Sequence, residues 1–225
     1  MKIYLKKRRI PNRKYAHNSS IYLRMALHFT MLIVSALFIE AAPLITALGA
    51  RRAEKYSKKA VLYRSAKHDI LITGVGKMMA ERSFRRYRQN NHADIMLNIG
   101  TAGILDPSIS LCHVFEISGS CSEEHLQGEE LFLIDGHYTA KCLTVNKPLT
   151  DAAERERLFQ CSGARLADME CYHLARMAVR SGIRMSALKV TTDFADENTA
   201  ARFPDTARPA IRKLTETCMD KMLRE

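Results

Sequence analysis

The chain has 225 residues, enough for one α/β domain with a sizeable core. Its 47% hydrophobic content is ordinary for a globular protein. The net charge of +11 invites a nucleic-acid or anionic-membrane partner, but residues 1–30 hold eight Lys/Arg and no acid, leaving +3 for the remainder.

Residues 1–30 therefore read as a basic, disordered extension, with Met31 the natural start of a single domain over 31–225. Met25 to Ala42 imitates a secretory signal. The uninterrupted apolar run from Met31 to Ile39 is too short to span a bilayer, and Glu40 closes it. A buried first strand over Leu32 to Phe38 fits better. Pro43 is expected to open a helix, with Leu44, Ile45 and Leu48 as its apolar stripe and Arg51 to Lys59 as its solvated basic end. Val61 to Tyr63 and His68 to Thr73 read as strands, the second ending in Gly74-Val75-Gly76-Lys77. Met78 to Asn90 is helical. Asp94 to Ile99 is a buried strand, stopped by Gly100-Thr101-Ala102-Gly103. Val114 to Ser118, Leu131 to Ile134 and Tyr138 to Val145 look like further strands, and Asp151 starts a short helix through Phe159. A short run from Ala164 to Leu166 precedes a helix that Glu170 opens, Cys171 to Arg180. A strand over Met185 to Thr192 and a helix over Pro209 to Arg224 complete the chain. Strands alternating with helices predict a mixed, mostly parallel central sheet flanked by helices.

The six cysteines, Cys112, Cys121, Cys142, Cys161, Cys171 and Cys218, form no CxxC pair and no Cys/His metal spacing, so no metal is expected and a reduced, cytoplasmic setting is favoured. Gly74-x-Gly76 and Gly100-x-x-Gly103 each follow an apolar strand. Neither matches a dinucleotide fingerprint and no Walker-type sequence occurs, so cofactor-free chemistry is expected. Glu170 and Asp193 each sit at a junction between elements, and in open α/β sheets ligands bind at the carboxyl ends of strands. With Glu40 they suggest a site that binds a polyol and donates a proton.

Read in order, five motifs resemble the nucleoside phosphorylase / methylthioadenosine–S-adenosylhomocysteine nucleosidase superfamily. They are Ser35-Ala36-Leu37-Phe38-Ile39-Glu40, Thr73-Gly74-Val75-Gly76-Lys77, Asn98-Ile99-Gly100-Thr101-Ala102-Gly103, Asp168-Met169-Glu170 and Thr192-Asp193-Phe194-Ala195-Asp196. The resemblance implies a phosphorylase/hydrolase-like fold and a purine nucleoside or thionucleoside as substrate. It implies that Met169 and Glu170 hold the ribose, Glu170 accepting from its 2′- and 3′-hydroxyls. Asp193 would protonate N7 of the departing purine, which requires a carboxyl raised by about three pKa units through burial and hydrogen bonding. Glu40 would direct a water at the anomeric carbon. Gly76, Thr101, Ala102, Gly103 and Thr192 would line the pocket.

The phosphate-binding features of family phosphorylases are missing. Asn98 stands where many carry Arg, and Ile39-Glu40-Ala41-Ala42 replaces a Gly-Asp-Pro loop. Water is therefore expected as the nucleophile, with a phosphorylase, a futalosine hydrolase-like or hopanoid-associated phosphorylase-like relative, or a non-catalytic binder as alternatives. Cys112-His113 replaces the usual Gly-Asp, and Lys189 stands where nucleosidases often carry Arg. The base-stacking aromatic expected near Asn146 to Leu149 is absent. A homodimer binding a small nucleoside is expected, with neither a membrane nor nucleic acid favoured as partner.

Overall fold

The computed structural model describes residues 30–136 and 138–222. The basic extension over residues 1–29 lies outside the described residues. Strand β1 (Met31–Ser35) is buried along its whole length. Its side chains alternate between two cores, Leu32 and Val34 toward one and Met31 and Ile33 toward the other, as the two-residue period of a strand demands.

Among the described residues, ten strands and five helices follow one another as β1, α1 (Phe38–Ala47), β2 (Arg51–Lys55), β3 (Val61–Arg64), β4 (His68–Ile72), α2 (Lys77–Asn90), β5 (Ile95–Ile104), β6 (Val114–Ser122), β7 (His125–Glu130), β8 (Thr139–Thr144), α3 (Ala152–Ser162), β9 (Leu166–Asp168), α4 (Cys171–Arg180), β10 (Arg184–Asp193) and α5 (Thr199–Met222). All ten strands form one mixed sheet, in the order β10-β6-β8-β9-β5-β1-β4-β3-β2 with β7 on β6. A further pairing of β10 with β5 closes the five strands β10-β6-β8-β9-β5 on themselves. The pairs β1–β4, β1–β5, β5–β10, β6–β8 and β8–β9 are parallel. Helices α2 and α4 supply Phe84, Tyr87, Leu174 and Ala178 to one core, and α1 and α5 supply Leu44, Ile45, Leu214 and Cys218 to the other. The α/β class and flanking helices are as expected, and the antiparallel pairs lie at the β2–β3–β4 edge and around the closed ring.

Several boundaries differ from the sequence expectation. Pro43 sits inside α1, which begins five residues earlier at Phe38. Glu40 sets that start: its carboxylate reaches back to the Leu37 N–H, 3.1 Å away, and satisfies an end amide. Arg51 to Lys55 form an exposed strand rather than the tail of a helix, because β2 pairs antiparallel with β3. Leu131 to Ile134 is not a strand, whereas His125–Glu130 is. Helix α5 starts at Thr199, ten residues before the expected Pro209, and carries Pro204 and Pro209 within it. The Gly100–Gly103 segment does not stop β5, which runs straight through to Ile104.

Candidate functional site

The acids are carried by three different junctions. Glu40 lies in the first turn of α1, just after β1. Its buried carboxylate is fully engaged: Oε2 accepts from Ser35 Oγ at 2.8 Å and the Leu37 N–H at 3.1 Å, and Oε1 accepts from the Thr101 N–H at 2.9 Å and Thr101 Oγ1 at 2.8 Å. Glu170 is the residue preceding α4. Its Oε1 accepts from the Gly76 N–H at 2.6 Å. Gly76 reaches it with φ of 90°, a conformation that side chains other than hydrogen rarely adopt. Asp193 ends β10. Oδ1 accepts from the Ala195 N–H at 3.0 Å and Thr199 Oγ1 at 3.2 Å, and Oδ2 from Thr192 Oγ1 at 2.9 Å. Ala195 takes φ of 47° to do so, a local strain of the kind that collects at functional sites.

These three carboxylates converge on one cavity of about 300 Å³. Met169, Thr101, Ala102, Gly103 and Thr192 line it too, and Gly76 meets it through its bond to Glu170. All nine residues singled out in the sequence are thus at one place. Within β5, glycine answers a need for space rather than for a turn. A Cβ at Gly100 would stand 3.2 Å from Glu40 Oε1, and one at Gly103 would stand 3.0 Å from Asp193 Oδ1.

The structure adds a buried ion pair that the sequence reading left unassigned. Lys189 Nζ lies 2.7 Å from Asp168 Oδ2, and both side chains are sealed from solvent. Asp168 also accepts from Thr144 Oγ1 at 2.7 Å and from the Cys171 N–H at 2.9 Å, while Thr144 Oγ1 accepts from the Tyr172 N–H at 2.9 Å. Two end amides of α4 are therefore held by this cluster. The signal in the sequence was a lysine between the apolar Leu188 and Val190 at the middle of β10 and an acid at the end of β9. Burial, followed by the charge of Asp168, pushes the Glu170 carboxyl up to about 7, with Lys189 and the Gly76 N–H opposing the rise and Glu40 adding to it. For Lys189, burial works against the ammonium, but the surrounding acids more than offset it and hold its proton firmly.

Phe203, from the first turns of α5, lines the cavity with Val145, Pro148, Leu149 and Ala195. An aromatic ring therefore does line the cavity although Asn146 to Leu149 supplies none, and it was hidden by placing the helix start at Pro209. Where Gly was expected, Cys112 adopts φ of 57°. Among the described residues, no group of three or more His, Cys, Asp or Glu is placed to hold a metal ion.

Residues 120–224 match the model of the phosphorylase superfamily. The resemblance is borne out as similarity: over that stretch, which holds Asp168-Met169-Glu170 and Thr192-Asp193-Phe194-Ala195-Asp196, the chain is similar to the phosphorylase superfamily. No curated protein sequence matches the chain. Among solved structures, futalosine hydrolase of Helicobacter pylori superposes with a TM-score of 0.79 at 14% identity, covering 89% of this chain and all of that one. The 5′-methylthioadenosine nucleosidase of Arabidopsis thaliana gives 0.75 at 21% identity, covering 86% and 94%. The Helicobacter pylori 5′-methylthioadenosine/S-adenosylhomocysteine nucleosidase bound to butyl-thio-DADMe-Immucillin-A gives 0.79 at 13% identity, covering 88% and 99%. At these identities the likeness is one of fold.

Proposed function

We propose that the protein is an N-ribosyl hydrolase that cleaves the glycosidic bond of a purine nucleoside or thionucleoside. One observation carries the choice of water over phosphate. The cavity is lined by Glu40, Glu170 and Asp193 with Asp168 behind them, and by no Lys or Arg among the described residues. The buried cation behind this wall, Lys189, is already paired with Asp168. A phosphate dianion there would meet only like charge at close range, which costs several kcal/mol in a partly desolvated site (about 4 kcal/mol per contact at 4 Å and an effective dielectric of 20).

In this reading the ribose lies against Met169, with its 2′- and 3′-hydroxyls donating to Glu170, an acceptor on both oxygens when ionised. Asp193 gives its proton to the purine N7 as the bond from C1′ to N9 breaks. Glu40 takes a proton from the water whose oxygen bonds to C1′, and its charge stabilises the oxocarbenium-like state between. All four acceptor positions of Glu40 are filled. The Thr101 hydroxyl lines the cavity and can rotate, so it is the group that yields to the water. Ala36, Leu37, Val75 and Phe203 give the cavity an apolar flank, which suits an uncharged 5′ substituent such as a thioether. The solved neighbours named for 5′-methylthioadenosine and futalosine support the same substrate class. Exposed Phe38, Ile39, Val75 and Met78, with Val75 at the cavity itself, support a homodimer joined beside the site.

The test is purine release from methylthioadenosine, S-adenosylhomocysteine, inosine and futalosine, with and without phosphate. Release without phosphate is expected, and strict dependence on phosphate would defeat the assignment. Asp193→Asn is expected to lower turnover about 10²–10⁴-fold while leaving nucleoside binding in place. An unchanged rate in that variant would remove Asp193 from its role.

A further inference from the structure

We propose that Lys189 is a positioning residue which, through its pair with Asp168, keeps the neighbouring Glu170 carboxylate available to a ribose diol. The proposal rests on the ribose-site reading above. Lys189 touches neither the cavity nor Glu170 by any hydrogen bond. Its ammonium lies 2.7 Å from Asp168 Oδ2, inside the closed ring of strands.

Charge balance around Glu170 sets its state. Glu170 is buried, and the groups facing it are few. From β9 and β10 it meets Asp168 and Lys189, from the turn before α2 the Gly76 N–H, and from α1 Glu40. Asp168 and Glu40 both oppose a negative charge on Glu170, and the Lys189 ammonium, 2.7 Å from Asp168, favours it. A protonated Glu170 loses an acceptor, and a ribose diol needs two. Ligand capture therefore requires the ionised form, and Lys189 makes that form accessible near neutral pH. The same contact fixes geometry. Asp168 holds the Cys171 N–H at the start of α4, one residue from Glu170. A charge sealed at this depth is costly unless its partner is present, so the pair exists for a reason other than packing.

The experiment measures binding of formycin A, a nucleoside whose carbon–carbon glycosidic link is not hydrolysed, from pH 5.5 to 9. In the unmodified protein, affinity should rise with pH through about 7 and then level. Lys189→Met should move that acid limb upward by at least one pH unit and weaken binding at pH 7 about tenfold. Asp168→Asn should move it downward. The double variant, which removes both charges, should return the limb close to its original position, and Lys189→Arg should leave it nearly unmoved. A purely structural role predicts equal loss at every pH with no shift of the limb, and a further loss in the double variant. That pattern would overturn the proposal. Should Lys189→Met fail to fold, Asp168→Asn and the double variant still decide, since an unmoved limb in both is equally fatal. Absence of nucleoside binding by the unmodified protein would instead overturn the ribose-site reading itself, and this proposal with it.

Discussion

Glu170 shows how one side chain can favour ligand over fold. Its carboxyl is raised to about 7 in the folded protein, chiefly by burial and then by Asp168, against about 4.3 in an unfolded chain. Between those two values the folded state holds more protons than the unfolded one, so stability falls as pH rises through this window. At pH 8 the penalty is about 4 kcal/mol, taking about 1.36 kcal/mol per pKa unit. Glu170→Gln should therefore be more stable than the parent at pH 8 and close to it at pH 5, read as a difference in thermal midpoint at the two pH values. The same substitution should abolish the rise of ribosyl-ligand affinity with pH. At this scale the sequence was informative wherever a motif carried a side chain. Glu40, Glu170 and Asp193 are brought together as expected, lining one cavity. Asp168 and Lys189 escaped assignment because their meaning lies in a contact between β9 and β10 that spacing along the chain does not reveal.

Among the elements, β5 does the most to build the site. Its two glycines leave room for Glu40 and Asp193 against the strand. Gly103→Ala would put a methyl group 3.0 Å from Asp193 Oδ1 and 3.2 Å from the Ala195 Cβ. Overpacking of this sort typically costs about 1–3 kcal/mol. The expected result is a loss of turnover of tenfold or more in a protein that still unfolds cooperatively, measured by purine release beside a denaturant titration. Helix α3 offers a control remote from the chemistry. Asp151 caps it by accepting from the Ala153 N–H at 2.8 Å, so Asp151→Ala should cost about 1 kcal/mol of stability and leave purine release unchanged. Most elements were legible in the sequence because their apolar periods are clean: β4, α2, β10 and α4 appear within a residue or two of their expected bounds. Three of the misreadings share one cause. Pro43, Pro209 and Gly100 are local breakers that tertiary structure overrides, through Glu40 at the head of α1, the packing of α5, and the need of β5 for close approach. The mixed sheet was anticipated, but its antiparallel closure around β6 and β9 was out of reach, since it depends on long-range pairing.

Over the whole molecule, the modest charge of the folded part conceals a strong separation. Residues 51–90 carry twelve Lys/Arg against three acids, while the rest of the chain from residue 31 onward has six more acids than bases. The basic side chains line the broad groove between the β2–β3 hairpin and α2, with Lys55, Lys77, Arg82, Arg85 and Arg86 on its walls. Only Arg85 and Arg86 of these have an ion pair among the described residues. Retention on a phosphate-bearing cation exchanger should consequently persist after residues 1–30 are deleted, and should fall steeply with salt. Elution of the shortened protein in the unbound fraction at low salt would refute this.

The extension of β5 past its glycines also has a stereochemical consequence. Gly100, beside Glu40, and Gly103, beside Asp193, are three residues apart on one strand, a spacing of about 10 Å at roughly 3.3 Å per residue. In the function proposed above, the strand spaces the group that activates water from the group that protonates the base. A base and an acid on two separate carboxylates leave room for water on the far side of the sugar, whereas a covalent intermediate needs the two about 5 Å apart. The sugar should leave with inverted configuration at its anomeric carbon, as the α-anomer before it equilibrates, which proton nuclear magnetic resonance of the fresh product would reveal.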